Sequence, residues 1–296
     1  MKVLASFGKG LKEAVLQPKM VGMLWFINFM FGSVIFYLFY KRLTDVVGDT
    51  LTADKLLKKF DYHFFFEFLV HSGQALSTIL FVALVLMVIY FLVSVFLYGG
   101  ILYSLVHTQK SASMEPERKG FGSIFFQGCG KFLWRFFRLA VYSLLLWLIF
   151  VVFFSLMGQI VKAVTAKGTH EKLAFYLFLV EVALGLFLVF LIKMIMDYTR
   201  IRIVTEDTRF VFRSLLNTLK FVFKKFGKTL PLYYLLLLTG FVLFAIYWLL
   251  KAVIPYHSLL TILIIFVVYQ LYMASREWLR IAFQAAQLDF FSLAGI

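Results

Sequence analysis

Two charges stand inside otherwise apolar sequence: Glu181 and Lys193, in the run LAFYLFLVEVALGLFLVFLIKMIM. A carboxylate at membrane depth is costly, so Glu181 marks a polar cavity, a proton site or an ion path, unless it is a structural group protonated or partnered between helices. The two residues are twelve positions apart, about 18 Å along a helix at 1.5 Å per residue, too far to pair. Lys193 lies about one turn from the end of the run and can snorkel to the interface. A second group is His63, Glu67 and His71, spaced i, i+4 and i+8. On a helix they align, and a neighbouring His/Glu pair could ligate a metal. The outer two are about 12 Å apart, so one ion cannot span all three, and a solvated helix face is the ordinary reading. The single cysteine, Cys129, excludes an intrachain disulfide and any multi-cysteine metal site; it reads as a small apolar filler. No phosphate-binding glycine loop, hydrolase serine motif, zincin motif or haem-attachment motif occurs. Neither a cofactor nor a catalytic residue is expected.

Residues 197–228 form the most basic stretch of the chain. From Arg209 its polar residues are Arg209, Arg213, Asn217, Lys220, Lys224 and Lys228, at steps of three and four. Phe212, Leu215, Leu216, Leu219, Val222, Phe223 and Phe226 follow the same period on the other side. This predicts a helix lying flat at a membrane surface, cations among lipid phosphates and apolar side chains in the acyl boundary. Just before it, Asp197, Arg200, Arg202, Glu206 and Asp207 read as an ion-pair network, with Asp207 as the helix N-cap. Residues 121–138 repeat the theme, with Gln127, Lys131, Arg135 and Arg138 on one face, as do residues 2–17.

The elements that must hold these residues follow from composition. Of the 296 residues 62% are hydrophobic and 20% aromatic, and the net charge is +15. Six apolar runs, near 20–40, 75–107, 139–161, 173–196, 229–250 and from 258 onward, are long enough to cross a hydrocarbon core of ~30 Å. The cations flank these runs, so the partners expected are anionic lipid headgroups rather than nucleic acid. Residues 41–74 are the one larger extramembrane segment. With the N-terminus, the 2–3 and 4–5 loops and the C-terminus on one side, that side carries 20 of the 30 Lys and Arg and the other carries 9. The excess predicts cytoplasmic N- and C-termini in an inner, cytoplasmic membrane, with residues 41–74 outside.

The chain also reads as three parallel units, 2–107, 120–204 and 208–288, each an amphipathic helix followed by two spans. Local echoes support it: Phe7-Gly8 and Phe121-Gly122 open the first two surface helices, and Pro18 and Pro231 stand where a span begins. The expected fold is therefore all-α, one six-span domain over 1–296 with interfacial helices on the cytoplasmic face.

The Gly99-Gly100 pair near the end of the second span, and the fourth span running into RIVTEDTRFVFRSLLNTLKFVFKKF, carry a resemblance. The chain resembles the bacterial six-span membrane family that includes the membrane domain fused to some glycerophosphodiester phosphodiesterases. The resemblance implies a cytoplasmic-membrane protein and no settled activity; the phosphodiesterase part has no counterpart here. Three function classes stand: a non-enzymatic lipid-handling or bilayer-organising protein, a small-solute or ion transporter using Glu181, and a membrane subunit that binds a protein partner or its own copies. Few polar residues line the spans, which favours the first.

Overall fold

The computed structural model describes residues 2–47, 73–111, 120–166, 171–254 and 258–294, together with Tyr62, Phe66 and Val70. Most of the 41–74 segment, including His63, Glu67 and His71, lies outside the described residues. Within them the chain forms eight helices and no strand: α1 (Lys2–Val15), α2 (Pro18–Val47), α3 (Gly73–Ser111), α4 (Phe121–Ala166), α5 (Glu171–Thr205), α6 (Val211–Lys224), α7 (Phe226–Val253) and α8 (Leu259–Leu293). All but α1 and α6 are long and apolar enough to cross a membrane. The shortest of these six has 28 residues, about 42 Å of helix, against a hydrocarbon core of ~30 Å. The protein is an all-α, multi-pass membrane protein.

What the spans do not do is bury one another. In the most apolar window of each, at most 11% of residues are buried. Leu80, Phe81, Leu148, Ile149, Phe241 and Leu263 are all more than half exposed. A soluble protein could not present such a surface; in a bilayer these side chains meet lipid tails and need no protein partner.

Contacts divide the chain into two compact units. One comprises Val3–Ser94 and Tyr234–Ala286, the other Val95–Tyr233 and Gln287–Ile296. In the first, α1 turns Ser6, Gly10 and Ala14 inward. A Cβ on Gly10 would come 2.4 Å from the Cβ of Ala286, so α1 packs against α8 at a distance only glycine permits. In the same unit Tyr247 stacks on Tyr272 at 4.6 Å, joining α7 to α8.

The second unit is built on a close crossing of α3 and α4. A Cβ on Gly99 would lie 2.9 Å from the Gly128 carbonyl oxygen, and one on Gly128 would lie 2.4 Å from the Tyr103 Cβ. Gly100 faces the Cys129 sulfur and the Phe125 ring. The glycine pair thus lets a neighbour approach, and Gly128 is its counterpart on that neighbour. Around the crossing Phe125, Cys129, Phe132, Phe136 and Leu139 form one buried face of α4 at steps of three and four.

That face corrects the sequence expectation for residues 121–138. They form no separate surface helix but the first part of the 46-residue α4. No proline and no glycine falls between Lys131 and Leu156, so nothing breaks the helix where the span begins. Pro231, expected where the fifth span begins, instead lies inside α7, which starts at Phe226. Pro18 opens α2, where its missing N–H costs nothing, and α8 continues well past the membrane-length run.

Candidate functional site

The basic residues singled out from sequence gather in the second unit, several of them in local pairs. Arg200 bonds Asp197 at 2.8 Å within α5, and Arg202 bonds Glu206, just past its end, at 2.8 Å. Their guanidiniums also lie over rings, Arg200 over Tyr98 at 4.2 Å and Arg202 over Phe291 at 5.8 Å. The long-range element is Asp207, which accepts from Lys131 at 2.8 Å and Arg135 at 2.5 Å, fastening the α5–α6 turn to α4. Asp207 has φ +49°, a left-handed conformation that Asp and Asn tolerate best. Partial burial pushes its carboxyl up, but the hydrogen bonds and charges of Lys131 and Arg135 outweigh this and hold it below the usual aspartate value.

Asp207 is therefore a clamp and not the N-cap that the sequence suggested. The cap position belongs to Phe210, which makes no side-chain capping bond. Helix α6 begins at Val211, and a break at Lys225 assigns Phe226 and Lys228 to α7. Its faces number three rather than two. Val211, Ser214, Thr218 and Val222 are buried; Phe212, Leu216, Leu219 and Phe223 are exposed; Arg213, Asn217, Lys220 and Lys224 are exposed beside them. A row of exposed apolar side chains flanked by a polar row that carries three cations suits an in-plane helix at a lipid surface.

Glu181 sits where α4 carries Gly158: its Oε1 would be 3.0 Å from a Cβ at that position. The carboxylate fills the notch the glycine leaves. No ion pair joins it to Lys193 among the described residues, and Lys193 is exposed. No group of three metal-ligating side chains occurs among the described residues.

The polar constellation that sequence reading missed is in the first unit. Asn28 on α2 donates through Nδ2 to Glu277 Oε1 on α8 at 2.7 Å and accepts from the Tyr90 hydroxyl on α3 at 2.7 Å. Arg280 approaches the other Glu277 oxygen at 3.4 Å. Trp25 Nε1 donates to Gln270 Oε1 at 3.1 Å. Three helices are thus tied through one amide, and Glu277, 8% exposed, has both oxygens partnered. The signal was present: Asn28 is one of two asparagines in the chain, and it lies in an apolar run.

Beside these groups runs a groove of about 590 Å³, walled by Trp25, Phe29, Phe36, Phe266, Tyr269 and Met273. Asn28, Ser33 and Gln270 are its polar members, and Gly32 lines it where a Cβ would meet nothing within 4 Å. A second cavity, of about 350 Å³, shares Asn28, Gly32 and Met273 and adds Arg276 and Glu277. The groove falls in the size range of small-molecule sites, ~300–1,000 Å³. Phe36, Phe266 and Tyr269 are each more than 40% exposed, so it opens sideways, where the bilayer would be. No protein-family model matches the chain, and neither a curated protein nor a solved structure matches it.

Proposed function

We propose that the protein handles membrane lipid, or organises the bilayer around it, without catalysing a reaction. The observation that carries this reading is the side-opening, aromatic-walled groove between α2 and α8 in the first unit. Most of its polar groups are already bonded: the Trp25 N–H is taken by Gln270, and Asn28 by Glu277 and Tyr90. What is offered to an occupant is hydrocarbon and ring faces, a lining suited to an acyl chain and poor for a hydrated ion. Glu181, the residue a transporter would use, lines neither this groove nor the cavity that shares Asn28 with it. The same proposal places the chain in the cytoplasmic membrane with both termini inside, on the strength of its Lys and Arg distribution. Membership of the six-span family belongs to that proposal also.

Gly32→Phe tests the reading. A Cβ at this position meets nothing within 4 Å, so a phenyl group starts into open groove, and it replaces glycine in a helix interior, so stability should hold or rise. Native mass spectrometry of the full chain from mild detergent should show lipid carried by the wild type and several-fold less by Gly32→Phe. Equal lipid retention by both proteins would end the groove assignment.

A further inference from the structure

Where α6 begins beside α4, the second unit holds a cavity whose charge the ion pairs around it leave uncompensated. Arg138, Tyr142, Phe210, Val211, Phe212 and Arg213 line an open hollow of about 320 Å³. None of the six is acidic, and the nearby carboxylate, Asp207, is held by Lys131 and Arg135. Arg138 donates one terminal amino group to the Arg209 carbonyl at a long 3.4 Å and lines the cavity without an ion pair among the described residues. Arg213 is exposed and makes no ion pair among those residues. Two guanidiniums with unused donors and no acid between them suit a tetrahedral oxyanion, which arginine binds in two-point fashion.

The walls decide what the anion is attached to. Tyr142 and Phe212 pack ring to ring at 5.9 Å. Phe210 is 76% exposed and Phe212 56% exposed, and Phe212 heads the row Phe212, Leu216, Leu219 and Phe223 along α6. A free phosphate would gain nothing from this apolar lip, whereas a phosphate carrying acyl chains would cover it. We propose that the cavity is a headgroup site for an anionic phospholipid, its phosphate between Arg138 and Arg213 and its chains along the exposed row of α6.

This inference rests on the lipid reading above, but on residues of the other unit. Gly32→Phe reads retention in the groove and the variants below read headgroup preference, so either can fail alone. The experiment is native mass spectrometry of the full chain in mild detergent. It is titrated with phosphatidylglycerol or with phosphatidylcholine of the same acyl chains, then with inorganic phosphate as competitor. The wild type should prefer phosphatidylglycerol. Arg213→Gln, at an exposed position without an ion pair among the described residues, should weaken the preference, and the double variant R138Q/R213Q should reduce it about ten-fold. The control K220Q/K224Q removes the same charge from the α6 basic row outside the cavity and should leave the preference in place. The proposal is overturned if the control loses as much as the double variant, which would mean diffuse attraction. It is overturned equally if Arg213→Gln and R138Q/R213Q both keep the preference, or if inorganic phosphate displaces the lipid, which would make this a free-anion site.

Discussion

Asn28 uses the two ends of one amide to hold a hydroxyl and a carboxylate that belong to other helices. Asn28→Leu leaves the Tyr90 hydroxyl without its acceptor and Glu277 with Arg280 alone. Interhelical hydrogen bonds in membranes are worth ~0.6 kcal/mol on average, but this substitution removes two, one of them to a charge, so a loss of about 1–2 kcal/mol is expected. Asn28→Asp should cost more, because it sets a second carboxylate against Glu277. Thermal unfolding in detergent orders the three proteins: wild type, then the leucine variant, then the aspartate variant. The residues in this cluster were legible by type and not by partnership. Glu181 stood out because it is charged inside an apolar run, yet it fits a glycine notch and binds no partner among the described residues. Glu277 lies in the last run, from 258 onward, and nothing in the spacing marked it out. Its partner lies 249 positions away, and periodicity is blind to such a separation.

Among the elements, α6 shows how far a helical period reaches. The steps of three and four marked cations apart from apolar residues, and that division survives. They could not tell apolar residues that face protein from those that face lipid. Nor did they show that Ser214 and Thr218 form part of the buried face. The turn before α6 makes the next prediction. The Asp207 carboxyl sits below its ordinary 3.8, so its clamp contributes fully above that value and is lost only as pH falls through the lower folded value. The clamp is half exposed, so its worth is small, at most about 1 kcal/mol. Asp207→Asn keeps a residue that tolerates the left-handed backbone and removes the charge. At pH 7 it should speed amide exchange over residues 206–213 relative to wild type, while wild type itself should show no loosening between pH 7 and pH 5. A wild-type clamp that opens within that range would contradict the lowered acidity.

For the whole molecule, the six spans were readable from run length alone, because ~20 apolar residues have no other stable place. The continuity of α4 was not, since amphipathic and spanning segments share the same helical period and only a breaker separates them. Orientation makes the prediction at this scale. Cys129 is buried and so silent to reagents, which leaves added cysteines to report. In spheroplasts, a membrane-impermeant maleimide should label Ser258→Cys at once and Asn217→Cys only after permeabilisation; the reverse pattern would invert the proposed topology.

The thin burial of the spans has a consequence for how the sequence can change. Phe81, Leu148 and Phe241 face outward, so one bulky hydrocarbon there can replace another with little effect on the fold. Gly10, Gly99, Gly100 and Gly128 cannot accept even a methyl group without displacing a neighbour. The map of tolerance is inverted relative to that of a soluble protein: the most hydrophobic stretches are the most permissive, and the smallest residues are the least free to vary.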